Sequence, residues 1–340
     1  MNNHFDWAKA GEIIGTRFLQ DKQDASNAGI CNVSLLKIED ARFIRIQYPP
    51  SIRLMTGERE EAVEVVMKIP GVLCSKILPP LKRIPGRAGA SQVRNLRQQV
   101  KVTGGGQLSF NAALDKVMSL FETFKQHVGA SKVLPYDNIP FEGERTLESH
   151  ARYFTDRDLV PYEKNESFLP GVDPHQVLRR IQPDSFIHAQ DNRVEYCTEE
   201  LSASGAILVQ PCDPSVFHVG DIVDMVFSFV GIPVKDGMYK VILNLRGLTL
   251  VNADLRKESV NAELRGDCAP AAYVTAPKRR RLYLDAPTSG PVVENDTATT
   301  ADKDCRGGAP TDQLTVTALG KERGMQDVAE KMQRMEVDRH

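Results

Sequence analysis

Between His218 and Val251 the chain alternates in twos. Two apolar runs, Ile222-Val223-Asp224-Met225-Val226-Phe227-Ser228-Phe229-Val230 and Tyr239-Lys240-Val241-Ile242-Leu243-Asn244-Leu245, flank Asp236-Gly237, a dipeptide that tolerates positive φ. Together they predict a β-hairpin. Alternation puts Val223, Met225, Phe227 and Phe229 on one face of the first strand, and Tyr239, Val241, Leu243 and Leu245 on one face of the second. Asp224, Ser228, Asn244 and Arg246 then share an opposite face that is half apolar and open to water. An isolated hairpin is marginal, so further strands are expected. Residues 186–197 read as a second hairpin turning at Asp191-Asn192, and 205–210 add an apolar strand, giving a small antiparallel sheet within 185–257.

Elsewhere the period changes. Leu114, Val117, Met118, Phe121, Phe124 and Val128 recur at spacings of three and four, with Ser109 or Asn111 as N-cap and Gly129 as stop, and predict an amphipathic helix. Residues 91–99 read as a helix carrying Arg94, Arg97 and Gln98 on one side. Phe43–Gln47 is extended until Pro49-Pro50, while 60–67 fits helix by its acids and strand by its valines. Pro70-Gly71, Pro79-Pro80 and Pro85-Gly86 read as breaks, and 129–171 as polar and turn-rich. Past Leu255, Ala, Pro, Thr, Gly and Asp dominate, too apolar-poor to offset ordering entropy, which predicts disorder. Near the end, Met325, Val328, Met332 and Met335 fall on one helical face: either a helix that forms on a protein partner or a charged tail with incidental methionines.

The expected fold class is therefore α+β: a small antiparallel β-sheet with a helical or irregular basic N-terminal region and a disordered C-terminal tail. The expected divisions are a basic α/β region at 1–130, a turn-rich connector at 131–184, the sheet at 185–257, a disordered linker at 258–320 and a short amphipathic helix at 321–340.

Charge changes this picture. The 340 residues carry 43 Lys+Arg against 45 Asp+Glu, a net charge of −2 that excludes a uniformly basic protein. The total is a cancellation, because no acid lies between Glu64 and Asp115 while Lys68, Lys76, Lys82, Arg83, Arg87, Arg94, Arg97 and Lys101 do. Such a window is the footprint of a phosphate-binding surface, with Lys82, Arg83, Arg87, Arg94, Arg97 and Lys101 as candidate nucleic-acid contacts. It holds no aromatic residue before Phe110, which argues against base stacking there. A solvated basic face opposed by Glu58, Glu60, Glu61 and Glu64, or a surface for an acidic protein, would explain the same charges. Four cations, Lys278, Arg279, Arg280 and Arg281, follow Pro277 and would suit a nuclear import receptor, with a phosphate contact as the alternative.

Candidate chemistry is sparse. Cys31, Cys74, Cys197, Cys212, Cys268 and Cys305 form no C-x-x-C pair, the histidines lack metal-ligand spacing, and Gly104-Gly105-Gly106 lacks the Lys-Ser/Thr of a P-loop. No segment approaches the roughly 20 apolar residues of a membrane span. No catalytic residue, metal or cofactor is assigned. The expected function is a non-enzymatic nuclear binding protein that contacts nucleic acid through 68–101. A scaffold using the central sheet and terminal helix is the alternative, and an enzyme of unrecognised type is the third reading.

Phe217–Val223, Val230–Gly237 and Leu243–Leu250, with Phe186–Tyr196 upstream and Val328–Asp338 at the end, resemble a block shared by a large group of proteins from mushroom-forming fungi. The resemblance covers roughly the second half of the chain. It implies a fungal origin and supports the hairpin and the methionine-rich end; it implies no activity, cofactor or site residue.

Overall fold

In the computed structural model the described residues are 1–23, 30–58, 61–82, 90–136, 138–202 and 207–265. Arg83, Arg87, the Lys278–Arg281 cluster, the linker at 266–320 and the Met325–Met335 face lie outside them. Contacts divide the chain into Met1–Tyr273 and Val274–His340, and the architecture below is that of the first unit.

Nine strands carry the architecture: β1 (Ala41–Ile46), β2 (Ser51–Thr56), β3 (Val66–Ile77), β4 (Arg97–Thr103), β5 (Thr146–Arg152), β6 (Glu195–Leu201), β7 (Ile207–Pro211), β8 (Ile222–Pro233) and β9 (Tyr239–Asn252). With the short strands Ile30–Asn32 and Val63–Glu64 they pair into one sheet of eleven strands among the described residues, in the order β7-β6-β9-β5-β4-β3-β8-β2-β1. The fold is α+β as expected, but the sheet is large. Strands from the basic N-terminal region supply much of it, because β3 pairs antiparallel with β8 over seven residues, from Ser228–Val66 to Ile222–Val72. An apolar strand buried on both sides takes partners wherever the chain offers them, irrespective of sequence separation.

The sheet closes on itself. β3 pairs with β4, β4 with β5, β5 with β9, β9 with β8 and β8 again with β3, so five strands make a ring. All these pairings are antiparallel except β5 with β9, which is parallel through Asn244 and His150. Along the chain the ring strands occur as first to fifth in the order β3, β4, β5, β8, β9, and around the ring they run first, second, third, fifth, fourth.

The hairpin of β8 and β9 forms as predicted, with Phe229 opposite Leu243 and Phe227 opposite Leu245 on the core side. A register shift after Phe227 places Val226 opposite Gly247, so Arg246 is the extra residue of a bulge. The opposite face is largely covered: Asp224, Ser228 and Asn244 are buried, and Arg246 is partly so. Pro70-Gly71 does not break the chain either. β3 runs through it, pairing with β8 up to Val72 and with β4 from Val72 onward, and a missing N–H is tolerated near that change of neighbour. The second predicted hairpin is replaced by another pairing. Phe186–Ile187 pairs with Thr155–Asp156, Gln190–Asn192 is a 3-10 turn, and β6 runs parallel to β9. Asn192 explains this turn: its carboxamide oxygen accepts from the Ala189 N–H at 2.9 Å, closing the chain locally instead of letting it reverse as strands.

Three helices support the sheet: α1 (Trp7–Gln23), α2 (Leu108–Val128) and α3 (Asp254–Leu264). α2 is the helix of the predicted stripe. It buries Leu114, Val117, Phe121 and Phe124, leaves Met118 exposed, takes its N-cap from Gln107 and stops at Gly129, where φ is 99°. Phe121 and Phe124 meet Phe229 of β8 at ring-centroid distances of 5.1 and 5.6 Å. Gly231 permits this approach, since a Cβ there would lie 2.3 Å from the Phe124 ring. The predicted helix over 91–99 is cut short: only Ala90–Asn95 is helical, and Arg97 already begins β4. No helix among the described residues is long and apolar enough to cross a membrane.

Candidate nucleic-acid interface

β4 and β5 alternate strictly. Gln98, Val100 and Val102 on β4, and Leu147, Ser149 and Ala151 on β5, are buried; Arg97, Gln99 and Lys101, and Glu148, His150 and Arg152, face outward. Antiparallel register sets these outward residues in three rows: Arg97 opposite Arg152, Gln99 opposite His150, and Lys101 opposite Glu148. The rows grade from a cation facing a cation to a closed ion pair, with Lys101 Nζ 3.3 Å from Glu148.

The Arg97–Arg152 row is open. Among the described residues neither guanidinium forms an ion pair, and Arg97 Nε donates only to the Asn95 carbonyl at 3.3 Å. Desolvation and then the charges of Arg97 and Arg94 lower the Arg152 pKa. The neighbouring His150 is pushed down to about 4, first by burial and then by Arg97, Lys240 and Arg152. Like charges held opposite each other across two strands destabilise the pair, so this row is a local cost carried by the fold.

The remaining cations of the acid-free window are spread over different settings. Lys68 is bound to Asp21 at 2.6 Å, and Arg94 to Asp156 at 3.0 Å with its guanidinium over the Phe186 ring. Lys82 is exposed in the connection between β3 and β4, and desolvation lowers the Lys76 pKa. The acids that close the window come from α1, from β5 and from Thr155–Asp156, not from Glu58, Glu61 or Glu64. Glu64 serves elsewhere: with Asp191 it neutralises Arg53 and Arg246 at 2.6 to 2.9 Å.

Arg152, His150 and Lys240 belong to the same positive surface and lie outside the window, the first two joined to Arg97 by the pairing of β4 with β5 and Lys240 by that of β5 with β9. Their signal in the sequence was the alternation of residues 147–152 inside a stretch otherwise polar and turn-rich. The face carries no aromatic side chain, so its chemistry is charge on charge and hydrogen bonding from Gln99 and His150.

No protein-family model matches the sequence, and no curated protein sequence matches it. Among solved structures, the single-stranded DNA-binding protein gp2.5 of bacteriophage T7 is similar at 11% identity and a TM-score of 0.30, over 55% of this chain and 91% of that one. The single-stranded DNA-binding protein of bacteriophage Enc34 is similar at 12% identity and a TM-score of 0.28, over 62% of this chain and 90% of that one.

Proposed function

We propose that this protein binds single-stranded nucleic acid, DNA or RNA, through phosphate contacts on the outer face of β4 and β5. The observation that carries the reading is the coincidence of ring order and charge. A five-strand ring in the order first, second, third, fifth, fourth is the connectivity of an oligonucleotide/oligosaccharide-binding barrel, which takes its ligand on the second and third strands and on the loops after the first and fourth. Here the second and third strands carry the unneutralised Arg97–Arg152 row. The loop after the first holds Lys82, and the loop after the fourth holds exposed Lys235. A polyanion laid on this row relieves the arginine repulsion that the free protein bears. The nuclear address expected from Lys278–Arg281 belongs to the same proposal.

Fluorescence anisotropy with a labelled oligo-dT tests it. Affinity falls about tenfold or more between roughly 50 and 200 mM salt, and Arg97→Glu with Arg152→Glu weakens binding by at least about tenfold without lowering the melting temperature. Absence of binding at low salt, or indifference to the double charge reversal, refutes the reading.

A second reading, a protein-interaction role, is favoured by β7. Among the described residues it pairs only with β6, and Ile207, Leu208 and Val209 along it are exposed and uncharged. A free apolar edge of this kind invites another strand. Sedimentation of Leu208→Lys beside the wild type tests it: an assembly dispersed by the lysine supports it, and identical monomers remove it.

A further inference from the structure

On the strand next to His150 the outer surface continues into a cavity. Asn244 is the register partner of His150, and beyond Arg246 the surface of β8 and β9 falls into a space of about 720 Å³, the size of a small-molecule site. Its floor is the set Arg53, Glu64, Asp191 and Arg246. Most of their donors are engaged, since Arg53 binds Ser51, Glu64 and Asp191 while Arg246 binds Ser228, Glu64 and the Asp191 carbonyl. The floor therefore offers an incoming group neither a free cation nor a free anion.

The rim differs. Tyr48 and Tyr162 meet edge to face at 5.4 Å and are 41% and 83% exposed, the aromatic residues left exposed among those described. Next to Tyr162, Glu163 lines the same cavity and forms no ion pair among the described residues. Desolvation and then Asp191 raise its pKa, against a backbone hydrogen bond from Gln190 and the charge of Arg53. The cavity is thus lined by the open ring of Tyr48, with Tyr162 packed edge to face against it, and by a carboxylate that accepts from the Gln190 backbone and keeps lone pairs for further donors.

We infer that this cavity binds a guanine base, stacked on the Tyr48 ring that Tyr162 braces edge to face, with its adjacent N1–H and N2–H groups donating to the two oxygens of Glu163. The edge chemistry selects guanine. Adenine and cytosine place a ring-nitrogen acceptor beside their amino group, and thymine and uracil flank a single N–H with two carbonyls, so each turns an acceptor toward the carboxylate. Guanine presents two donors side by side, the match for a bidentate acceptor. Recognition of guanine O6 and N7 by a guanidinium would have to break the ion pairs that bind both floor arginines to Glu64 and Asp191. The base comes either from a strand lying on Arg97 and Arg152, in which case the inference rests on the proposed function, or from a free nucleotide.

Two arms distinguish these sources. In the first, anisotropy compares labelled oligo-dT with the same oligomer carrying one central dG. The dG improves affinity about tenfold, Glu163→Gln abolishes that gain, Tyr162→Ala weakens both oligomers, and Arg97→Glu with Arg152→Glu weakens both by the same factor. In the second, titration calorimetry with guanosine, inosine and cytidine monophosphates ranks them in that order, because inosine lacks the N2 amine. A dG gain that is absent or survives Glu163→Gln, together with equal monophosphate affinities, overturns the inference; salt-sensitive binding of oligo-dT would then leave the strand reading standing. Guanosine monophosphate bound through Glu163 with no oligomer retained supports the cavity and refutes the strand. Both rim residues lie at the surface, and matching thermal melts confirm that the variants are folded.

Discussion

Arg53 and Arg246 stand on neighbouring parts of the same outer surface as Arg97 and Arg152, and the two pairs are treated in opposite ways. Around the first, Glu64 from a two-residue strand and Asp191 from a 3-10 turn complete a four-membered network of mutual ion pairs. The second forms no ion pair among the described residues, and its two arginines stand opposite each other across β4 and β5. Both pairs sit on extended strands, with Arg53, Arg246 and Arg97 partly buried and Arg152 exposed. The difference lies in what the rest of the chain delivers. The closed pair fastens β2 and β9 to the turn at Gln190–Asn192, whereas the open pair fastens nothing and is left for a ligand.

Breaking the closed pair should have the largest effect. Asp191→Ala leaves Arg53 and Arg246 short of a partner in a poorly hydrated site and lowers the unfolding free energy by about 3 kcal/mol or more in urea titrations. The acid dependence of the wild type sharpens this. Burial alone would raise the Asp191 pKa, but Arg53 and Arg246 overcome it and hold it at about 2, below the ordinary 3.8. A depressed carboxyl pKa contributes stability that is present above the unfolded-state value and lost as pH falls through the folded one. About 2 kcal/mol should disappear between roughly pH 4 and pH 2, and Asp191→Asn should remove that segment of the curve.

The open pair is probed through His150. Its pKa of about 4 reflects burial and three cations, so bound phosphate, by offsetting those cations, raises it and binding takes up a proton. Affinity for oligo-dT should therefore improve a few-fold, about threefold to tenfold, as pH falls from roughly 7 to 5, and His150→Gln should flatten the dependence. Parallel curves for the two proteins would place His150 outside the interface.

The smallest effect is the most discriminating. If the Arg97–Arg152 row is a cost kept for binding, Arg152→Gln should stabilise the free protein, by about 0.2 to 1 kcal/mol in the same urea titrations, while weakening its grip on oligo-dT. A variant that loses both stability and binding would make Arg152 structural, like Arg53.

Much of this was legible in the chain. The hairpin of β8 and β9 and the helix ending at Gly129 followed from period and turn chemistry, because both are decided by neighbours within a few residues. The bulge at Arg246 escaped that logic: strict alternation assigns Arg246 a face but does not reveal that β8 skips it. The candidate interface was legible by halves. Arg97 stood out for lying in an acid-free window, yet so did Lys68, Arg94 and Lys101, which the fold neutralises. Arg152 and His150 carried no such mark, because the residues that make them distinctive lie on β4, some fifty positions away.

What the sequence alone determined is the hairpin of β8 and β9 and the helix α2, because hydrophobic period and turn chemistry act over a few residues. The tertiary structure decided how large the sheet is, which strands close the ring and which cations stay unpaired. Strand pairing joins residues far apart in the chain, and ion pairing acts over a few ångströms of space whatever the separation in sequence. A run of like charge therefore reports surface charge only after the fold has assigned each cation its partner or denied it one.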